Sequence, residues 1–207
     1  MPENLHKLFV ISSPSGGGKT SLINKLFEDS RSANFEKSIS DTSRQKRQGD
    51  LEGKDYYFLS EKDFKDKIKK EEYVEYATVF GNFYGTSKEE IKTKYNNSNL
   101  ILELDWQGAY AVKELFDDAK LIFLVPPSLD DLKQRLIKRN LDSSKEIENR
   151  LSEAKKEISK SEMYDYLVLN DDFDKAFEDL SQILFEGISP IDFNSRASKD
   201  LIKRLVE

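Results

Sequence analysis

Ser-Ser-Pro-Ser-Gly-Gly-Gly-Lys-Thr (Ser12–Thr20) is the stretch that decides the fold of this 207-residue chain. It follows an apolar run, Leu8–Ile11, and precedes a helical pattern, Ser21–Phe27. A strand, a glycine-rich turn and a Lys-Thr pair that opens a helix are typical of a phosphate-binding loop, where backbone N–H groups surround phosphate oxygens. We therefore predict a nucleotide site, with Lys19 on the β- and γ-phosphates and the Thr20 hydroxyl on Mg²⁺.

The loop departs from the usual phosphate-loop pattern at one position. The pattern G-x-x-x-x-G-K-[ST] begins with glycine, where this chain carries Ser13. A serine can make the same turn when its φ is negative. The alternative is a glycine-rich connector without a ligand, which is disfavoured because Gly16, Gly17 and Gly18 together lose much backbone entropy on folding.

The composition indicates one α/β domain with a real core and room for a small inserted subdomain. The net charge is −6, from 33 basic and 39 acidic residues, so no overall positive field favours nucleic acid or anionic membranes. The absence of cysteine excludes disulfides and thiolate metal sites and suits a reducing compartment. Met1–Lys7 lacks a signal-peptide core, and no apolar segment reaches the roughly 18 residues of a membrane span. We expect a cytoplasmic protein that binds neither nucleic acid nor membrane, with His6 at the surface.

Apolar runs and helical spacing predict strands that alternate with helices, which indicates a parallel sheet covered on both faces. Residues 35–84 break this rhythm and predict an antiparallel insertion. The carboxyl ends of the strands would gather Ser12–Thr20, Glu103 with Asp105, and the residues after Val125 on one edge. The predicted strands are Lys7–Ser12, Phe35–Ser40, Tyr56–Leu59, Tyr73–Tyr76, Thr78–Tyr84, Leu100–Asp105, Leu121–Val125 and Tyr166–Leu169. The predicted helices are Ser21–Phe27, one that follows a Ser60 cap, Ser87–Lys94 after a Thr86 cap, Ala109–Phe116, Leu129–Arg139, Lys145–Glu162, Phe173–Phe185 and Pro190–Val206.

Two sets of arginines could serve phosphoryl transfer. Arg44 and Arg47 lie in a glycine-flanked loop, and Arg suits bidentate recognition of phosphate. The second set is Arg135, Arg139 and Arg150, of which the first two lie on one helix face. Ordinary solvated charge is the alternative for each set alone. Because phosphoryl transfer needs cations around the transferring group, two such sets beside a glycine loop support each other.

Five segments carry a resemblance to a known family. They are S-I-S-D-T-S-R-Q-K-R-Q-G-D-L-E-G-K-D-Y-Y-F (Ser38–Phe58), G-N-F-Y-G-T (Gly81–Thr86), I-L-E-L-D-W-Q-G (Ile101–Gly108), P-P-S-L-D-D-L-K-Q-R-L (Pro126–Leu136) and V-L-N-D-D (Val168–Asp172). In this order the segments closely resemble guanylate kinases, from about Leu8 to Phe185.

The resemblance implies an α/β fold of the P-loop NTP-hydrolase type. In such a fold helices flank the parallel sheet, and a small mixed or antiparallel insertion and a helical lid are added. The core would comprise residues 1–34 and 97–207, with the lid at about 136–158 and the GMP-binding insertion at 35–96. The implied reaction transfers the γ-phosphoryl group of ATP to GMP, and to dGMP, in purine nucleotide recycling, with Mg²⁺ bound through ATP at Thr20.

The resemblance also implies roles for individual residues. The ATP site would comprise Ser13, Pro14, Ser15, Gly16, Gly17, Gly18, Lys19, Thr20, Ser21 and Asn170, the last near the adenine. The GMP phosphate would be held by Ser40, Arg44, Arg47, Tyr56 and Tyr84, and the guanine would be read by Glu75, Thr86 and Asp105. The catalytic cations would be Lys19, Arg44, Arg135, Arg139 and Arg150.

Guanine chemistry agrees with the residues proposed to read the base. Guanine presents N1–H and N2–H donors and an O6 acceptor, which a carboxylate at Glu75 or Asp105 and a hydroxyl at Thr86 complement. Adenine would leave buried polar groups unpaired, which discriminates by a factor on the order of 10⁴ in favourable cases.

Departures from the family pattern are modest. Asp41 adds a charge near the phosphate-binding loop of the insertion, so we expect at most a tuned GMP affinity. Asp50 stands where glutamate is usual, and Thr86 where serine is usual.

Three rival functions are weaker. A GTPase would use the D-x-x-G match at Asp105–Gly108, but no N-K-x-D motif follows it. Non-catalytic interaction modules of the same fold typically lack the phosphate-loop residues, which are intact here. The D-G-[FY]-P-R segment of adenylate kinases is absent. A monomer and a homo-oligomer both remain open, as does the role of residues 190–206.

Overall fold

The structure is a computed structural model that describes residues 6–47, 49–79, 81–139, 144–189, 191 and 195–207, without the side chains of Val79 and Arg139. The strands are β1 (Leu8–Ser12), β2 (Phe35–Lys37), β3 (Asp41–Thr42), β4 (Tyr57–Phe58), β5 (Tyr73–Val79), β6 (Asn82–Ser87), β7 (Asn99–Glu103), β8 (Lys120–Val125) and β9 (Tyr166–Leu169). The helices are α1 (Lys19–Glu28), α2 (Glu61–Lys69), α3 (Lys88–Tyr95), α4 (Trp106–Leu115), α5 (Leu129–Arg139), α6 (Ser144–Ser159), α7 (Phe173–Ser181) and α8 (Arg196–Val206). Short 3₁₀ turns occupy Ser30–Asn34 and Ser161–Met163, and a π turn, Gln182–Glu186, continues α7.

A five-stranded sheet has the order β2-β7-β1-β8-β9. Strands β2 and β7 pair in parallel, with Phe35 opposite Asn99, and so do β8 and β9, with Ile122 opposite Tyr166. Every residue of β1 is buried, and so is β8 beyond its first residue, because strands of a parallel sheet are covered on both faces. The predicted α/β class, a parallel sheet flanked by helices, is confirmed.

A second, four-stranded sheet has the order β4-β3-β6-β5 and is mixed. Strands β3 and β4 pair in parallel, whereas β6 pairs antiparallel with both β3 and β5. There is little room for a side chain at position 85 on β6, which glycine occupies. A Cβ added to Gly85 would lie 3.0 Å from the Phe64 ring and 3.0 Å from the Tyr73 ring. Phe64 of α2 stacks on Tyr73 at 4.5 Å between ring centroids, which packs this helix on the sheet. The separate sheet agrees with the predicted insertion, although β2 pairs with β7 in the other sheet.

The chain divides into two compact units. The first unit comprises Met1–Val10, Asn34–Leu102 and Gln107–Ala119, and the second comprises Ile11–Ala33, Glu103–Trp106 and Lys120–Glu207. The first contains the mixed sheet, and the second contains the glycine-rich loop. The domain boundaries inferred from the sequence stay a prediction.

Several helix ends differ from the sequence prediction. The α3 cap is Ser87, whose side chain accepts from the Glu90 N–H; the predicted Thr86 cap is wrong by one residue. Helix α1 starts at Lys19, where the Lys-Thr pair is predicted to open it, whereas α4 starts at Trp106, three residues earlier than predicted. Ser60 does cap α2 as predicted. Between the predicted helices Leu129–Arg139 and Lys145–Glu162, residues 140–143 lie outside the described residues, and α6 begins at Ser144. The predicted start at Pro190 also lies outside them, and α8 begins at Arg196. In the part of the chain that the structure describes, no helix is long and apolar enough to cross a membrane.

Candidate active site

The loop between β1 and α1 has the geometry of a phosphate-binding turn. Gly16 and Gly18 have φ of +89° and +92°, which side chains rarely adopt. The Gly17 N–H donates to the Pro14 carbonyl at 2.8 Å and closes the turn. Gly17 also lies so close to Ser13 that an added Cβ would be 2.8 Å from the Ser13 Cβ. Since Gly18 is the N-cap of α1 and supplies no capping side chain, the first N–H groups of that helix are available to an anion.

The carboxyl end of β7 supplies acceptors to the first turn of α1. The Lys19 Nζ donates to the Leu104 carbonyl at 3.1 Å, and the Thr20 hydroxyl donates to the Glu103 carboxylate at 2.5 Å. Both oxygens of that Thr20–Glu103 pair are hard ligands of the kind that Mg²⁺ prefers. The Ser12 hydroxyl lies 3.5 Å from the Asp105 carbonyl, at the limit of a hydrogen bond.

Three side chains from the second half of the chain brace the loop. The Arg150 Nη1 of α6 donates to the Ser15 hydroxyl at 2.6 Å. The Asn170 Nδ2 donates to the Gly17 carbonyl at 2.7 Å. The Arg135 Nη2 of α5 donates to the Asn170 backbone carbonyl at 2.7 Å. Two arginines of the predicted catalytic set are therefore tied to the loop directly or through one residue.

Glu157 of α6 lies in the same electrostatic environment. Burial raises the pKa of its carboxyl to about 7; the charge of Lys19 opposes this effect, and the charge of Asp105 adds to it. Burial also raises the pKa of the Tyr164 hydroxyl. Glu157 therefore brings a carboxyl with a raised pKa close enough to Lys19 for the two groups to interact electrostatically.

A second cluster, in the first unit, is built around Arg44. Its Nη2 forms an ion pair with the Asp50 Oδ2 at 2.9 Å, and its side chain is 12% exposed. The guanidinium carbon lies 5.5 Å from the ring centroids of both Tyr56 and Phe58, within cation–π range. The Arg47 N–H also donates to Asp50, at 2.8 Å, and is the largest reason why the pKa of the Asp50 carboxyl is lowered. Asp50 therefore holds both Arg44 and the loop backbone in place.

A hydroxyl and carboxylate chain lies on the mixed sheet. The buried Thr86 hydroxyl donates to the Glu75 carboxylate at 2.6 Å. The same Thr86 oxygen is 3.3 Å from the Ser40 hydroxyl. The Tyr56 and Tyr84 rings meet edge to face at 5.7 Å between centroids. The mixed sheet thus brings together a carboxylate acceptor, two hydroxyls and an aromatic pair.

Asp41 is buried beside this cluster, at 4% exposure, and its charge is compensated. The carboxylate accepts from the Lys67 ammonium at 2.5 Å and from the Tyr73 hydroxyl at 2.7 Å. Burial, followed by the bond to Asp41, raises the pKa of the Tyr73 hydroxyl. The extra charge of this departure is therefore neutralised within the sheet and helix α2.

Comparison with known proteins decides the family. The guanylate kinase family model matches residues 5–187. A guanylate kinase of Wolbachia sp. subsp. Brugia malayi (strain TRS) is 46% identical over 184 residues, which cover 88% of this chain and 93% of that protein. A guanylate kinase of Hahella chejuensis is 47% identical over 178 residues, which cover 86% of this chain and 85% of that protein. The chain belongs to the guanylate kinase family. The crystal structure of guanylate kinase from Anaplasma phagocytophilum has a similar fold, with a TM-score of 0.70 and 31% sequence identity. The match covers 99% of this chain and 98% of that chain.

The residues that the guanylate kinase resemblance implicated form two groups, one in each unit. In the second unit, the loop residues Ser13, Pro14, Ser15, Gly16, Gly17, Gly18, Lys19, Thr20 and Ser21 are accompanied by Arg150, Asn170 and Arg135. In the first unit, Ser40, Glu75 and Thr86 form one chain, and Arg44, Tyr56 and Tyr84 form an adjoining aromatic cluster. Their roles as ligands of ATP and GMP stay predictions.

The remaining implicated residues are Arg47, Asp105 and Arg139. The Arg47 side chain is exposed, and its backbone N–H donates to the Asp50 carboxylate. Asp105 follows β7 in the second unit, whereas Glu75 and Thr86 belong to the first. Arg139 is the last residue of α5, and its side chain lies outside the described residues. Ser13 meets the condition for a serine in this turn, a negative φ, since Glu71 alone among the described non-glycine residues has a positive φ.

Sequence reasoning placed Glu103 at the edge of the sheet without a role and missed Glu157. Glu103 was recognised as a carboxylate at a strand end, and its spacing from Asp105 was a usable signal, but no role was assigned to it. Glu157 lies in a helix with many charged residues, so the sequence carried no signal for it. Only the packing of α6 distinguishes Glu157 from its exposed neighbour Glu153.

Proposed function

We propose that this chain is an ATP:GMP phosphotransferase that converts ATP and GMP into ADP and GDP, and that it also accepts dGMP. The observation that carries the proposal is the intact phosphate loop, with Gly18 in a left-handed conformation, an uncapped α1 N-terminus and Lys19 beside it, in a member of the guanylate kinase family. A non-catalytic module has no need for this arrangement. We place the enzyme in the cytoplasm, where both substrates are available.

On the ATP side, the loop N–H groups and the α1 N-terminus would bind the phosphates. Lys19 would leave the Leu104 carbonyl and move onto the β- and γ-phosphate oxygens, because an ammonium pairs more strongly with an anion than with a carbonyl. Arg150, held on Ser15, and Arg135, held on Asn170, would neutralise the charge that develops during transfer. No side-chain nucleophile is required, since the GMP phosphate oxygen attacks the γ-phosphorus directly.

A divalent metal fits the oxygen donors at the start of α1, and we assign it as Mg²⁺. The Thr20 hydroxyl, with the Glu103 carboxylate next to it, would hold the ion together with the phosphates of ATP. When bound, the ion neutralises negative charge on the β- and γ-phosphoryl groups. Binding would require the Thr20 hydroxyl proton to turn away from the metal, towards Glu103, where it already points.

On the GMP side, the first unit would hold the nucleotide. Arg44, fixed by Asp50 and two aromatic rings, would bind the phosphate with Ser40, Arg47, Tyr56 and Tyr84. The Glu75 carboxylate would accept from guanine N1–H and N2–H, and the Thr86 hydroxyl would contact O6 or N7. Preorganisation supports this assignment, because Arg44 needs little reordering to receive an anion.

The test is a coupled assay of ADP release with ATP and each of GMP, dGMP, AMP, UMP and CMP. We expect turnover with GMP and dGMP and a loss of at least about a hundredfold in kcat for Lys19→Ala, since one preorganised cation is removed from the transition state. Lys25→Ala is the matched control, because Lys25 lies on the same helix and pairs with Glu28 at the surface. Preference for AMP, or equal rates for Lys19→Ala and the wild type, would refute the proposal.

A further inference from the structure

Asn170 connects the end of the parallel sheet to the phosphate loop. It follows β9 directly, and its N–H donates to the Val125 carbonyl at 2.9 Å, which aligns it with the end of β8. Its side chain is buried, at 4% exposure, and the Nδ2 donates to the Gly17 carbonyl at 2.7 Å. The bond joins residues 153 positions apart in the chain.

The contact between Asn170 and the loop is close and specific. A Cβ added to Gly18 would lie 2.4 Å from the Asn170 Nδ2, so no side chain fits at that position while Asn170 is present. The group opposite the carboxamide is a carbonyl oxygen, which only a donor satisfies. Because three consecutive glycines have the greatest backbone freedom of any residues, a bond from outside the loop limits the conformations that the loop can adopt.

The same residue also holds a cation. The backbone carbonyl of Asn170 accepts from the Arg135 Nη2 at 2.7 Å. The loop is therefore bonded to the side chain of Asn170, and Arg135 is bonded to the backbone of Asn170. Substitution of the side chain changes the first contact and leaves the acceptor of the second in place.

We propose that Asn170 is a positioning residue for the phosphate loop, and that its carboxamide acts on the triphosphate part of ATP through Gly17. The bond to Gly17 keeps the N–H groups of the loop and of the α1 N-terminus directed at the phosphate oxygens. This inference rests on the proposed function, because it assumes that ATP binds at this loop.

Asn170→Asp offers a test that a purely structural residue would not pass. The substitution keeps the shape but places an acceptor against the Gly17 carbonyl, so the carboxyl can donate only when it is protonated. Burial beside a carbonyl oxygen raises the pKa of such a carboxyl above its ordinary value of about 4. Lowering the pH should therefore restore the bond to Gly17, and with it the affinity for phosphate.

The experiment measures dissociation constants by calorimetry for ATP and for inorganic tripolyphosphate, each with Mg²⁺, between pH 5.5 and 8.5. For Asn170→Ala we expect both constants to rise by on the order of tenfold relative to the wild type, from loss of one buried hydrogen bond. For Asn170→Asp we expect a larger rise at pH 8.5 that shrinks severalfold at pH 5.5, with the wild type at each pH as the reference. The dissociation constant for GMP should not change.

Asn97→Asp is the matched control. Its Nδ2 also donates to a backbone carbonyl at 2.7 Å, that of Thr93, but on an exposed helix end in the first unit. It should leave both dissociation constants unchanged at every pH. Weaker ATP binding with unchanged tripolyphosphate binding would show that Asn170 reads the base and would overturn the inference. The inference would also be overturned if the dissociation constants of Asn170→Asp, divided by those of the wild type, did not depend on pH. Lack of GMP turnover by the wild type would refute the proposed function instead, and the binding measurements would still decide the role of Asn170.

Discussion

Glu157→Gln should change how the stability of this protein depends on pH. In the unfolded chain the Glu157 carboxyl loses its proton near its ordinary pKa of 4.5, whereas in the folded protein burial keeps it protonated up to about pH 7. Between these values the folded state binds a proton that the unfolded state does not bind. The contribution of Glu157 to stability is therefore greatest below pH 4.5 and is lost as the pH rises towards 7.

The magnitude follows from the width of that interval. Each pH unit over which one state alone holds the proton changes the free energy of unfolding by about 1.4 kcal/mol, which gives an upper limit of about 3 kcal/mol. Glu157 is only partly shielded from water, and Lys19 stabilises its charged form, so we expect about 1–2 kcal/mol. Glutamine has nearly the same shape and no ionisation, so the substitution removes this cost above pH 7.

Urea unfolding at pH 5 and pH 8 measures the effect. The difference in free energy of unfolding between Glu157→Gln and the wild type should favour the variant by about 1–2 kcal/mol more at pH 8 than at pH 5. Glu153→Gln, one turn earlier on α6 with an exposed side chain, should show a much smaller change, since the Glu153 charge is the last and smallest cause of the raised Glu157 pKa. If the free energy of unfolding depended on pH in the same way for Glu157→Gln and the wild type, the raised pKa of this carboxyl in the folded protein would be contradicted.

Three further predictions concern the first unit. Arg44→Ala should raise the KM for GMP by on the order of ten- to a hundredfold, through loss of a charged hydrogen bond, and change the KM for ATP by less than about twofold. Equal rises in the two KM values would contradict the division of sites, and Lys54→Ala in the same loop region is the control. Thr86→Val should raise the KM for GMP about tenfold, because it removes the hydroxyl that Glu75 accepts from, whereas Thr78→Val on the exposed face of β5 should not. Lys67→Met should lower the free energy of unfolding by about 2 kcal/mol, since it leaves the Asp41 charge buried with Tyr73 alone, and Lys65→Met should cost under about 0.5 kcal/mol because the Lys65–Glu61 pair is exposed. Denaturation that affects both lysine variants equally would refute the last prediction.

Much of the fold could be predicted because its signals are local. Strands β1, β8 and β9 are short apolar runs, which strands buried on both faces must be, and each lies within one residue of its predicted bounds. Helix ends were less certain, because adjacent residues offer equivalent caps. Thr86 and Ser87 both carry hydroxyls, and only the geometry assigns the Thr86 hydroxyl to Glu75 and the Ser87 hydroxyl to the Glu90 N–H.

The candidate site was only partly predictable, because several of its contacts join distant parts of the chain. The Asp41 charge was noticed in the sequence, but its partner Lys67 comes from a helix 26 residues away. Glu157 has the composition of a surface residue, and its burial depends on how α6 packs. Asn170 was assigned to ATP from a resemblance, and its bond to Gly17 could not be read from any local pattern.

The sequence by itself determined the phosphate loop, the order of strands and helices, and membership of the guanylate kinase family. These depend on the conformational freedom of glycine, on the periodicity of apolar residues and on short motifs, all of which act over a few residues. The tertiary structure alone decided which side chains hold the loop and which charges are neutralised. Arg150 meets Ser15 across 135 positions and Asn170 meets Gly17 across 153, and such pairings arise only when the sheet brings strand ends together.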